Sequence, residues 1–87
     1  MPLSLTRVQS IATEIVAELD SGMEVSVTRS EGDTTYAEVL LTLPGCSAEP
    51  CQTMIGLDRE QSEAQLRASL SEHLRPQVER LRAAQSA

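Results

Sequence analysis

The spacing of the apolar residues changes twice along this chain, and that change restricts the possible fold more than any other feature. In the N-terminal stretch LTRVQSIATEIVAELDSG, apolar residues recur every three or four positions, which is typical of an amphipathic helix. From residue 23 they alternate with polar residues, as in strands buried on one side. Beyond residue 58 the helical spacing returns. The pattern predicts the order helix, strand, strand, strand, helix.

The three alternating segments are MEVSVTRS, TYAEVLLTL and CQTMIGL, and the first two are separated by the turn sequence SEGDT. Gly32 in this turn is free to adopt a positive φ. Hairpin connections make neighbouring strands antiparallel, and both helices can cover the apolar face of the sheet. We therefore expect residues 1–87 to form a single small α+β domain. In the third strand, the residues expected to point inward are Cys51, Thr53, Ile55 and Leu57.

The helix boundaries are marked by capping residues. Ser4 and the pair Thr6 with Gln9 are alternative starts for the first helix, and Asp58 with Gln61 resembles a capping box for the second. In the second helix, Glu63 and Arg67 have the spacing of a favourable ion pair.

Pro76 lies within the C-terminal helical pattern. It removes a backbone donor and clashes with the preceding turn, which predicts a helix that is kinked or broken near this residue. The chain can restart as a helix at Pro76, with Val78 and Leu81 on one side, and residues 83–87 are expected to form a frayed tail.

The composition limits the core and some kinds of chemistry. The 87 residues include no Phe and no Trp, and Tyr36 is the only aromatic residue, so the core must be aliphatic. The chain also contains no Lys and no Asn, a bias that suggests a G+C-rich bacterial or phage gene. Without Lys, neither a Schiff base nor a P-loop is available.

The net charge of −6 disfavours nucleic acid and anionic membrane surfaces as partners. Residues 1–63 hold 11 acidic residues and three arginines, a net charge of −8, whereas residues 64–87 hold two and four, a net charge of +2. The basic tail could bind a second copy head to tail or fold back on its own chain. No signal peptide is recognisable and no apolar run exceeds three residues, so we expect a cytoplasmic protein.

The order of elements resembles that of double-stranded RNA-binding domains and of some small bacterial nucleoid-associated proteins. In place of the basic patch that the former need at the second helix, this chain has DREQSE. A single tyrosine also provides no platform on which bases could stack. The sequence therefore predicts no nucleic-acid partner.

Both cysteines lie in PGCSAEPC, which connects the second and third strands. The favoured interpretation is that Cys46 and Cys51 are inert small apolar side chains, since Cys51 is in register with the inward residues of the third strand. An oxidisable pair is the second possibility, because opposed strand positions are ~4.5–5.5 Å apart, within the range of a disulfide. A zinc site is the third, but it requires about four ligands and therefore a second subunit.

Catalytic residues cannot be identified from the sequence. His73 is the only histidine, and its position predicts a partly exposed helix residue without an activated nucleophile. We therefore expect a protein that is not an enzyme and that binds neither a cofactor nor a metal.

The most suggestive surface is the sheet face that points away from the helices. Tyr36, Leu40 and Met54 are expected there, with Glu24 and Glu38 around them. The principal hypothesis is protein binding, with a homodimer formed through this face or through the tail of residues 76–87. One alternative is an acidic inhibitor or immunity-type protein that neutralises a basic partner. A less favoured alternative is a thiol redox or zinc-binding protein that uses the two cysteines.

Overall fold

A computed structural model describes residues 3–29, 32 and 35–86 of the chain. The predicted α-β-β-β-α order is confirmed. The elements are α1 (Leu5–Leu19), β1 (Glu24–Arg29), β2 (Tyr36–Thr42), β3 (Gln52–Asp58) and α2 (Glu63–Ser86). The three strands form an open antiparallel sheet in the order β1-β2-β3.

The core lies between the sheet and the two helices. On the central strand β2, the alternate residues Ala37, Val39 and Leu41 have no exposed surface. The helices cover them with aliphatic stripes, which are Val8, Ile11, Ala12, Ile15 and Val16 in α1, and Leu66, Leu70, Leu74, Val78 and Leu81 in α2. The predicted alternation is confirmed in β3 as well, where Leu57 is buried and Gln52, Met54 and Gly56 are exposed.

Helix α1 begins at the first of the two predicted caps. The Ser4 Oγ accepts a hydrogen bond from the Arg7 backbone N–H at 3.1 Å. Gln9, expected as part of the alternative box, instead reaches the outer edge of β1. Its Nε2 donates to the Val25 carbonyl at 2.9 Å, and its Oε1 accepts from the Val27 N–H at 2.8 Å. One glutamine side chain thus replaces part of a neighbouring strand.

Helix α2 begins later than predicted. Asp58 is the last residue of β3, where it pairs with Tyr36, so it is not the cap of the helix. The capping box is formed by Ser62 and Gln65. The Ser62 Oγ accepts from the Gln65 N–H at 3.2 Å, and the Gln65 Oε1 accepts from the Ser62 N–H at 3.1 Å. Strand pairing, which local sequence does not reveal, decided between the two boxes.

Helix α2 continues through Pro76 as one helix of 24 residues, so the predicted break and restart are wrong. The predicted kink and the fraying of the tail stay predictions; residues 83–86 belong to α2, and Ala87 lies outside the described residues. Within the predicted turn 30–34, only Gly32 is described. Its φ of 83° is in the left-handed region, as expected.

The bridge between Gln9 and β1 gives a test of how α1 is attached to the sheet. Because Gln9→Ala removes two partly buried hydrogen bonds, it should lower the free energy of unfolding by about 1–2 kcal/mol in urea denaturation. Thr6→Ala is the matched control, since Thr6 is exposed and does not act as the cap, and its effect should stay within about 0.5 kcal/mol. Equal losses in the two variants would contradict this account.

Candidate functional site

The outer face of the sheet has an apolar pair at its centre. Leu40 on β2 lies between Ser26 of β1 and Met54 of β3. Met54 is 56% exposed, and Leu40 is half-buried. Directly opposed residues on one sheet face have Cβ atoms about 4.5–5.5 Å apart, so these two side chains form one contiguous apolar surface.

Tyr36 is on the same face, but the register separates it from this pair. It is 42% exposed and lies at the start of β2, with Glu38 between it and Leu40. Opposite Glu38 is Gly56, where an added Cβ would meet no atom within 4 Å. The three predicted apolar residues therefore share one face without forming one patch, and an open notch lies beside Met54.

All charged strand residues on this outer face are acidic, among those that the structure describes. They are Glu24, Glu38 and Asp58. Arg29 of β1 does not join them, because it pairs with buried Ala37 and so takes the register of the opposite face. The described outer face thus combines a small apolar centre with negative charge.

Two arginines of α2 pair with acidic residues in α1 and at its C-cap. The Arg82 guanidinium binds the Asp20 carboxylate through two nitrogens, with Nη2 2.8 Å from Oδ1. Arg67 Nη1 is 2.9 Å from Glu14 Oε2. Arg82 of the basic tail thus contacts its own chain, as in one of the two expected arrangements, and head-to-tail binding of a second copy stays a prediction.

Glu63 at the start of α2 is shared between two arginines. Its Oε1 is 2.6 Å from Arg7 Nε, and its Oε2 is 3.7 Å from Arg67 Nε, which confirms the pair predicted within α2. The hydrogen bond from Arg7 lowers the pKa of Glu63. These contacts join the N-terminal ends of the two helices.

The cysteine loop contains a disulfide between Cys46 and Cys51, whose Cα atoms are 5.8 Å apart. The favoured interpretation, two unlinked apolar side chains, is therefore wrong for this structure, and the second possibility applies. Both residues are half-buried, and Cys46 packs against the core cluster. The hairpin closes tightly enough to bring the two side chains together, which spacing alone could not decide.

Gln85, in the last turn of α2, holds this loop in place. Its Oε1 accepts from the Ser47 N–H at 3.0 Å and from the Ala48 N–H at 3.3 Å, and its Nε2 donates to the Ala48 carbonyl at 2.7 Å. Sequence analysis missed this residue, because the contact joins positions 37 and 38 residues apart. The disulfide loop and the C-terminal helix are thereby one structural unit.

His73 is exposed, as predicted, and its Nδ1 is 2.7 Å from the Ser69 carbonyl oxygen of the same helix. Across the described part of the chain, no three His, Cys, Asp or Glu residues are grouped so that they could hold a metal ion. Neither described helix has both the length and the apolar character needed to cross a membrane.

Comparison with known proteins adds no assignment. The sequence matches no protein-family model and no curated protein, and no solved structure matches the chain.

The disulfide gives a prediction for stability. Cys46→Ser combined with Cys51→Ser opens a short loop, which should lower the free energy of unfolding by about 2 kcal/mol in urea denaturation. The oxidised wild type is the reference, and wild type treated with a dithiol reductant should match the double variant. A double variant as stable as the oxidised protein would contradict the prediction.

The Asp20–Arg82 pair predicts a dependence of stability on pH. The hydrogen bond from Arg82, followed by that from the Gly22 N–H, lowers the pKa of Asp20 from 3.8 to about 2. The folded state therefore holds this proton less tightly than the unfolded state. The stabilisation is fully present above about pH 4 and is lost as the pH falls towards 2.

Urea denaturation at a series of pH values measures this effect. Asp20→Asn should reduce the loss of stability between about pH 4 and pH 2, because Asn does not titrate. Glu18→Gln, a change at an exposed position in the last turn of α1, controls for the loss of one negative charge. Parallel losses in wild type and Asp20→Asn would show that this pair does not contribute.

Proposed function

We propose that this protein is not an enzyme and acts by binding protein, with a second copy of the chain as its partner in a homodimer. The observation that carries the proposal is the apolar pair of half-buried Leu40 and exposed Met54 at the centre of the outer sheet face. The opposite face of the same sheet already has its apolar residues covered by the helices. Apolar surface beside charged residues is typical of protein-binding sites.

The C-terminal tail is a weaker candidate for the dimer contact. Its apolar side chains Val78 and Leu81 are 6% and 0% exposed, so they already belong to the core of their own chain. Gln85 of the same segment is bonded to the cysteine loop. These contacts favour the sheet surface over residues 76–87.

Zinc binding by the two cysteines has less support than protein binding, whereas the thiol redox function stays a prediction. While Cys46 and Cys51 are joined, neither supplies the thiolate that zinc binding requires. A cytoplasmic location is part of the proposal, and the cytoplasm would favour the reduced form of this pair.

Binding to a basic partner is the second candidate function. Glu24, Glu38 and Asp58 give the outer face charge of one sign, which complements a basic protein. Such a complex should weaken strongly as salt concentration rises, because exposed charges are screened. An affinity that does not change with salt would count against this candidate.

Size-exclusion chromatography with light scattering tests the homodimer. At about 100 μM the wild type should be dimeric, and Met54→Glu should raise the dimer Kd about tenfold or more by placing charge in the contact. Thr28→Glu is the matched control, since it adds the same charge to an exposed position of β1. It should change the Kd far less.

Two outcomes of that measurement would contradict the proposal. A wild type that remains monomeric would exclude the homodimer. A Met54→Glu variant with the dimer Kd of the wild type would exclude the surface around Met54.

A further inference from the structure

Along residues 52–56, the outer edge of strand β3 has backbone groups that no described residue pairs with. Leu43 N–H donates to the Cys51 carbonyl at 2.8 Å, so odd-numbered residues of this segment direct their backbone towards β2. In an antiparallel sheet, the alternate residues then direct their N–H and C=O groups away from it. Those residues are Gln52, Met54 and Gly56, and all three are exposed.

The other edge of the sheet is protected. On β1, Gln9 occupies the Val25 carbonyl and the Val27 N–H, and Glu24 and Arg29 place charge at the two ends of the strand. Residues 52–56 contain neither a charged residue nor a proline. Natural proteins usually protect an exposed strand edge with charged residues or prolines, because an open edge pairs readily with another strand.

We propose that two copies of the chain pair through β3, antiparallel and centred on Met54, to form one continuous sheet of six strands. This inference rests on the homodimer proposed above and specifies its geometry. The partner is a second copy because the edge is complementary to itself under a two-fold rotation, which is the symmetry of most homodimers.

The register follows from the groups that are free to bond. With Met54 opposite Met54 of the second copy, Gln52 lies opposite Gly56 on each side. These three pairs can exchange about six backbone hydrogen bonds. If the register were shifted by two residues in one direction, Gln52 would have to pair with Asp58, whose carbonyl already accepts from Gln61 Nε2 at 2.6 Å. If it were shifted in the other direction, Gly56 would have to pair with Pro50, which has no N–H.

The side chains on the outer face also fit this register. The Leu40 and Met54 side chains of both copies would lie in one row across the dimer, which doubles the contiguous apolar surface. The Gln52 side chain of one copy would lie beside the notch at Gly56 of the other, where an added Cβ meets no atom within 4 Å. The pairing therefore joins the Leu40 and Met54 side chains of the two copies into one continuous apolar surface for protein binding.

Charge favours this arrangement over two outer faces stacked on each other. Stacking would bring Glu24, Glu38 and Asp58 of one copy against the same residues of the other, and like charges in contact are unfavourable. Edge pairing keeps Glu38 away from Glu24 of the second copy, because Gly56, Gln52 and Thr42 intervene in the same row.

The first test removes a hydrogen bond at the edge. Gly56→Pro deletes an outward N–H at two symmetric places, and prolines are tolerated on edge strands when their N–H faces solvent. It should raise the dimer Kd about tenfold or more, as measured by light scattering. Arg29→Pro makes the same change at the β1 edge and should leave the Kd within about twofold of the wild type.

The second test measures the register and does not depend on a proline variant that folds. In Met54→Cys the two introduced cysteines would have Cα atoms about 5.5 Å apart, within the range of a disulfide. In Gln52→Cys they would be about 14 Å apart, beyond that range. Mass spectrometry after mild oxidation should therefore find covalent dimers of the first variant and not of the second.

The outcomes separate the geometry from the homodimer itself. A tenfold loss with Gly56→Pro together with cross-linking confined to Met54→Cys would support edge pairing. The proposed edge pairing would be wrong if Gly56→Pro left the dimer Kd unchanged, or if Gln52→Cys cross-linked as well as Met54→Cys. Either result would still be consistent with a homodimer. A monomeric wild type would overturn both.

Discussion

The alternation of the central strand β2 is the constraint on which the rest of the structure depends. Ala37, Val39 and Leu41 need cover on one side, and both helices supply it with aliphatic stripes. A shift of one residue in the pairing would reverse the two faces, so burial fixes the register. That register in turn places Leu40 beside Met54 and determines which backbone groups of β3 point outward. The proposed interaction surface is thus a consequence of how the core is filled.

Long polar side chains complete the packing where secondary structure ends. Gln9 bonds to the edge of β1, Gln65 caps α2, and Gln85 holds the disulfide loop. The amide group both donates and accepts, so it can replace a peptide unit of a missing neighbour. The core is aliphatic and contains no Phe or Trp. The Gln9 and Gln85 contacts and the Asp20–Arg82 pair join its elements in addition to this packing.

The sequence was sufficient for the order of elements because apolar periodicity depends on the two faces of each helix and strand. It was not sufficient for contacts that depend on distant pairing. Asp58–Gln61 and Ser62–Gln65 both fit a capping pattern, and only the pairing of Asp58 with Tyr36 excludes the first. The face of Tyr36, Leu40 and Met54 was predictable, with Glu24 and Glu38 on it. The separation of Tyr36 from the other two by Glu38, the position of Asp58 on this face and the open edge of β3 required the register.

The central claim is that β3 forms the contact between two copies, and amide hydrogen exchange measured by NMR tests it most directly. The N–H groups of Gln52, Met54 and Gly56 should exchange slowly at high protein concentration and rapidly after dilution. That of Ile55, which the register directs towards β2, should stay protected throughout. Rapid exchange of the three outward N–H groups at every concentration would contradict the account.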